Sequence, residues 1–284
     1  MNHTAACLPI VVGIDGSKQA IRAAIWASDE AANRDTPLRL LHVVDGKSTD
    51  LDRDYANAEH ILHKAWVAVE KTGKQVQLES DIRQGDPLTE LVEISRKAEM
   101  ICVGAKGAIT SGKHEPGATA AALGQSAFCP VAIVRRRHTH KPLPAGLWVI
   151  AALDESLASH AVLQTALDEA VLRKAPVLAL TPWGTGPRDG SEDDSDVGLR
   201  AKLRRYLDDA EDDNADVQVC ALPKPDTMSN LLEQSATIDQ LVIVGPDNPE
   251  LAAEVVGPKA RTILRDTNCS LLILRDHQSR LNAS

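Results

Sequence analysis

Three glycines in the first half of the chain are spaced to hold an anion. Gly104-Ala105-Lys106-Gly107 is followed by nine residues and then Gly117. A phosphate must come within hydrogen-bond distance of backbone N–H groups, and a Cβ blocks that approach. Gly104 is expected to let the chain turn at the end of a strand, and Gly107 to let the backbone reach the ligand. Gly117 is expected to open a helix whose free N–H groups and partial positive charge attract an anion. Lys106 and Lys113 add charge nearby. Asp15, at the end of the first apolar run, is suited to accept hydrogen bonds from a base or ribose, or to bind a metal ion such as Mg.

The elements that must carry these residues follow from periodicity. Leu8 to Ile14 is a short apolar run ending in Asp15-Gly16-Ser17, which predicts a buried strand and then a helix capped by Ser17. Further strands are predicted at Leu38 to Val44, Val76 to Ile82, Met100 to Val103 and Val131 to Val134. Helices are predicted at Ala20 to Ala32, Asp50 to Lys71, from Asp86-Pro87 onward, and at Gly117 to Ser126. Asp86 is a cap, and Pro87 suits a first turn whose N–H has no helical partner. Strands alternating with helices predict a parallel α/β sheet. In such sheets ligands bind beyond the carboxyl ends of the strands, where the strand order reverses. The loops after the first and fourth strands carry Asp15 and Gly104.

The unit is written twice. Asp29-Glu30-Ala31 with Arg34 and Pro37 recurs as Asp168-Glu169-Ala170 with Arg173 and Pro176, a shift of 139 residues. Asp15 recurs as Asp154 at the same shift, and Cys129 as Cys269 at 140. A near-constant shift over more than a hundred residues means two copies of one fold. The expected domains are 1–138 and 145–284, joined by a basic, Pro-containing linker starting at Arg135. The second copy predicts strands at Leu147 to Leu153, Val177 to Thr181, Val217 to Leu222, Leu241 to Val244 and Leu271 to Leu274. Its helices are predicted near Ser156 to Arg173, Val197 to Asp213, Thr227 to Ala236 and Ala260 to Asp266. There Asn248 replaces the second glycine, Pro258 follows Gly257, and Pro258 offers no N–H to a phosphate. The second copy is expected to be nucleotide-free.

Composition bounds the function. The chain has 284 residues, 43% hydrophobic and only 2% aromatic, so its cores are aliphatic, as buried parallel sheets require. A net charge of −9 with so few aromatics provides neither a phosphate-neutralising field nor stacking platforms for nucleic acid. The five cysteines are scattered without CxxC spacing, which argues against a disulfide scaffold or zinc cluster and fits a reducing cytoplasm. Cys102 and Cys220 read as core residues. Neither a signal peptide nor a membrane span is predicted.

Competing chemistry is weaker. Gly107 to Lys113 begins like a P-loop, but His114 stands where a magnesium-holding Ser or Thr is needed. His60 and His63 with Glu59 form at most half a metal site, and exposed histidines of a helix face explain them. Ser17 and Ser156 follow Asp in turns, where N-capping accounts for them. Cys129 could be redox-active, but the matching Cys269 points equally to packing. No catalytic residue is assigned.

The chain resembles the universal stress protein family in its tandem two-domain form. The resemblance rests on Val12-Gly13-Ile14-Asp15-Gly16-Ser17, Leu41-His42-Val43, Gly85-Asp86-Pro87, Val103-Gly104-Ala105-Lys106-Gly107 and Cys129-Pro130-Val131. It implies two adenine-nucleotide alpha-hydrolase-like (Rossmann-like) α/β domains, each a five-stranded parallel sheet of order 3-2-1-4-5. It implies ATP, with or without Mg, lying over Asp15 and Val43 with its phosphates on the Gly107–Gly117 loop. The implied binding set is Gly13, Asp15, Val43, Val103, Gly104, Lys106, Gly107, Gly117, Ala118 and Thr119. The ATP-binding branch places a hydroxyl directly after the third glycine. Here that residue is Ala118, and Thr119 is the next hydroxyl, so weakened binding is expected. Intrachain pairing of the domains through their last strands and a homodimer are also implied.

The resulting expectation is a cytoplasmic ATP-binding stress-response protein with slow or no ATP turnover, since no base for an attacking water is evident. One alternative is a nucleotide-free interaction module. Another is an adenylate-transferring enzyme, for which neither a substrate loop nor a base is visible.

Overall fold

The computed structural model describes residues 7–46, 50–105, 118–135, 146–154, 156, 158–181, 205, 217–223, 228–234, 238–246 and 268–275. The chain divides into two compact units, the first running through Arg136 and the second from Arg137 to Asp276. The first unit contains β1 (Ile10–Gly13), α1 (Lys18–Arg34), β2 (Leu38–Asp45), α2 (Leu51–Glu70), β3 (Leu78–Gly85), α3 (Pro87–Ser95), β4 (Met100–Gly104), α4 (Ala118–Ser126) and β5 (Val131–Val134). The second contains β6 (Leu147–Ala152), α5 (Ala158–Arg173), β7 (Val177–Thr181), β8 (Val219–Pro223), α6 (Met228–Gln234), β9 (Asp239–Val244) and β10 (Asn268–Ile273).

In the first unit the strands lie in the order β3-β2-β1-β4-β5, and every adjacent pair is parallel. In the second the order is β8-β7-β6-β9-β10, again parallel throughout. Ile10, Val11, Ile101, Cys102 and Val131 are fully buried, the signature of strands covered on both faces. A row of small residues, Ala20, Ala23, Ala24, Ala27 and Ala31, is the buried stripe of α1. It lets α1 lie close on β4.

The helix ends form as their residues dictate. The Ser17 side chain accepts from Ala20 N at 3.0 Å, and Asp86 accepts from Thr89 N at 3.0 Å ahead of Pro87. α1 ends at Asp35 in the left-handed conformation (φ 50), and α5 ends the same way at Lys174 (φ 51). Glu30 pairs with Arg34 on α1, and Glu169 with Arg173 on α5 at 2.9 Å. The duplication read in the sequence therefore extends to the helix C-caps and the Glu–Arg pairs.

Several boundaries depart from expectation, among them that of β9, which begins at Asp239 rather than Leu241. β3 starts two residues later than Val76 and runs on to Gly85, because it pairs with β2 in continuous register from Leu38↔Leu78 to Asp45↔Gly85. β8 begins at Val219 rather than Val217. β10 begins at Asn268 rather than Leu271, because Asn268, Cys269 and Ser270 pair with Asp239, Gln240 and Leu241 of β9. Pairing with a neighbour overrides the polar character of Asn268 and Ser270. The helices predicted at Val197 to Asp213, apart from Arg205, and at Ala260 to Asp266 lie outside the described residues.

Candidate functional site

From β1 the first unit's chain proceeds through β2 to β3 on one side, then returns to β4 on the other. The carboxyl ends of β1 and β4 thus frame the crevice in which ligands of such sheets bind. Val12 pairs with Cys102, so Gly13 and Val103 stand side by side just before this edge. A Cβ on Gly13 would lie 3.3 Å from Val103 Cγ1, so a glycine keeps this corner compact. Because β4 and β5 run parallel, α4 must run back between them, and its N-terminal end returns to the same edge.

Asp15 is exposed at this edge, and its Oδ1 accepts from Ser17 N at 2.9 Å. Gly16 between them has φ 84, a conformation that favours glycine, and its α-carbon faces the Ile61 side chain. Ile14 N donates to Leu41 O at 2.8 Å, and His42 Nδ1 lies 2.6 Å from Ile14 O. A carbonyl only accepts, so Nδ1 carries the proton. These bonds fasten the residue before Asp15 to β2, whose Val43 is half-buried nearby in sequence and pairs in register with Arg83. Burial lowers the pKa of Arg83, but hydrogen bonds to Asp81 and Glu90 outweigh it and leave the pKa raised, so the guanidinium is firmly charged.

Gly104 has a different reason from the one expected. Its φ is not among the positive values, so it does not supply a left-handed turn. Instead a Cβ there would fall 2.8 Å from the Gln19 carbonyl carbon and 3.0 Å from Ala20 N. The glycine admits the first turn of α1 against the end of β4. Lys106, Gly107, Gly117 and Lys113 lie outside the described residues. Ala118 is the first residue of α4, and Thr119 follows it, half-buried.

The second unit treats its aspartate differently. Asp154 Oδ1 receives Ser156 N–H at 3.0 Å and the Ser156 hydroxyl at 2.6 Å. Ser159 Oγ lies 2.9 Å from the same oxygen and accepts from Asp154 N at 2.8 Å. Ser156, expected to cap α5, thus gives its hydroxyl to Asp154. Ser159 went unremarked in the sequence, although it stands where the first copy has Ala20. Gly245, the counterpart of Gly104, faces only ordinary contacts at 3.5 Å from Ala158 and Val162.

The other candidates separate from this edge. His60 and His63 are exposed on α2, as expected. His63 lines a groove of about 540 Å³ with Glu59, Trp66 and Asp81, between α2 and β3. Among the described residues no group of three or more His, Cys, Asp or Glu could hold a metal ion. Cys129 is fully buried, which favours packing over redox chemistry, whereas Cys220 is partly exposed rather than a core residue. No helix among the described residues is long and apolar enough to cross a membrane.

Comparison with known proteins supplies the context. The model of the universal stress protein family matches residues 8–135 and again 149–275. A universal stress protein of Mycobacterium tuberculosis is 37% identical over 271 residues, covering 94% of this chain and 96% of the relative. A second from the same species is 35% identical over 283 residues, covering 96% and 98%. A universal stress protein structure from Archaeoglobus fulgidus superposes with a TM-score of 0.64 at 14% identity, covering 94% of this chain and 96% of that one. At that identity the likeness speaks for the fold.

Proposed function

The chain belongs to the universal stress protein family, in tandem two-domain form, and from that premise we propose that its first unit binds one ATP at the β1/β4 edge. Family membership makes it a stress-response protein. The nucleotide is the finer reading, and one observation carries it: the exposed Asp15 carboxylate stands at the strand-order reversal, on the edge to which the N-terminal end of α4 returns. The donor set suits the ligand. Asp15 accepts from sugar or base, and the peptide N–H groups of Gly107, Gly117, Ala118 and Thr119 suit the phosphates, with Lys106 adding charge. Gly13, Val43, Val103 and Gly104 form the apolar and backbone wall. Magnesium, if taken up, is held by the phosphates and Asp15, since the described residues offer no fuller ligand set.

ATP hydrolysis in this reading is slow or absent, because no side chain is assigned to orient an attacking water. The protein acts in the cytoplasm, and it assembles as a homodimer. Native mass spectrometry of protein freshly purified from cells tests the nucleotide directly. One retained adenine nucleotide per chain is expected. Protein that carries none, and takes up none at millimolar ATP, favours the nucleotide-free interaction module.

A further inference from the structure

The first unit leaves a long strand edge open beside a charged helix face. β3 is the outermost strand of its sheet, pairs with β2 on one side, and runs eight residues. The corresponding strand of the second unit, β8, runs five and ends in Pro223. Leu38 N donates to Gln77 O at 2.8 Å, which fixes the ladder between β2 and β3. In a parallel pair, alternate residues of a strand turn both backbone groups toward the same neighbour. Glu79 and Asp81 therefore face β2, and the N–H and C=O groups of Leu78, Ser80 and Ile82 face outward. Long open edges are usually blunted, because they template another strand. Here Ser80 and Ile82 instead line the groove of about 540 Å³ between α2 and β3.

The helix side of the groove carries Glu59, His63, Trp66 and Glu70, whose spacing places them on one face of α2. Among the described residues no hydrogen bond or ion pair engages either glutamate, and no lysine or arginine lines the groove. Asp81 is matched by Arg83 at 3.3 Å, so the two glutamates set the charge. We propose that this groove takes an extended peptide with two cationic side chains, which adds to β3 as an outer strand. Its backbone pairs with Ser80 and Ile82, and its cations meet Glu59 and Glu70, one of them over the half-buried Trp66 ring. Along the helix the glutamates stand about 16 Å apart. Side chains four positions apart on an extended chain share a face and stand about 13 Å apart, and flexible basic stems cover the difference. The two cations are therefore four residues apart in the peptide. The same acidity disfavours a second copy of this chain, whose net charge is −9.

Fluorescence anisotropy on the full chain tests this with a labelled octapeptide. The peptide carries lysine at its second place, arginine at its sixth, and threonine and valine elsewhere. Saturable binding is expected. The double variant Glu59→Gln with Glu70→Gln should weaken it about three- to thirtyfold, the worth of two exposed ion pairs. Both glutamates are exposed, so the fold tolerates the change. Trp66→Leu should weaken binding about two- to fivefold. Methylating the peptide's backbone nitrogens removes its ladder donors but no charge, and should cost about tenfold or more. Ser80→Pro removes an outward N–H that the sheet does not use, and should act in the same direction. No binding at millimolar peptide overturns the proposal, as does equal affinity in the double variant or for the methylated peptide. Self-association that Ser80→Pro abolishes, without peptide binding, overturns it in favour of a second copy.

Discussion

Ala118 and Gly104 are the residues whose replacement speaks most directly to the site. Ala118 stands at the first position of α4 and carries no hydroxyl. Ala118→Ser should tighten ATP by about ten- to a hundredfold, the worth of one hydrogen bond to a charged group, read by calorimetry. Gly104 makes an opposite test. A Cβ at 2.8 Å from the Gln19 carbonyl carbon meets backbone that cannot step aside, so Gly104→Ala should cost about 1–3 kcal/mol in urea unfolding. Gly245→Ala, with its nearest contacts at 3.5 Å, should cost less than about 1 kcal/mol. The spacing of the three glycines was legible in the sequence, but the duty of Gly104 was not. A glycine spaced for a phosphate and a glycine spaced for a neighbouring helix look alike until the helix is in place. The locking of Asp154 was hidden for a related reason: an Asp-x-Ser turn allows the serine either to cap the helix or to grip the aspartate.

At the scale of elements, the first helix of each unit carries the same Glu–Arg pair, buried to different extents. The Glu169 side chain is 2% exposed and that of Arg173 10%, whereas Arg34 is 33% exposed beside its fully buried Glu30. Removing one partner of a buried pair leaves an uncompensated charge. Glu169→Ala should therefore cost about 3–5 kcal/mol, since Arg173 has little access to water. Glu30→Ala should cost distinctly less, because Arg34 reaches solvent and lies 3.9 Å from Glu99. Paired urea titrations separate the two, and equal losses would contradict the role given to burial. Element types were read well from periodicity, since apolar runs such as Val131 to Val134 and Val177 to Thr181 admit one assignment. The ends of β3 and β10 were misjudged because register with β2 and β9 sets them, and pairing partners do not appear in a local pattern.

For the whole molecule, duplication supplies an internal comparison. Two copies keep the left-handed helix C-caps, the Glu–Arg pairs and the parallel sheet, yet differ at the proposed ligand edge: Asn248 and Pro258 stand where the first copy has glycine and alanine, and Ser159 stands where it has Ala20. A scaffold retained with an altered edge is what a division of labour between copies produces. ATP should consequently raise the melting temperature by mass action at one class of site, with the shift growing as the logarithm of free ATP once the site is saturated. Two distinct saturation steps would contradict a single competent copy.

The proposed function depends on phosphates meeting backbone amides in the first unit alone. Amide chemical shifts of the isotope-labelled full chain, followed through an ATP titration, report on those groups one by one. The predicted result is saturable movement of the amides of Asp15, Val43, Gly107, Gly117, Ala118 and Thr119, with those of Asp154, Gly245 and Asn248 unmoved. Stationary amides throughout the first set at millimolar ATP, or movement confined to the second copy, would contradict it.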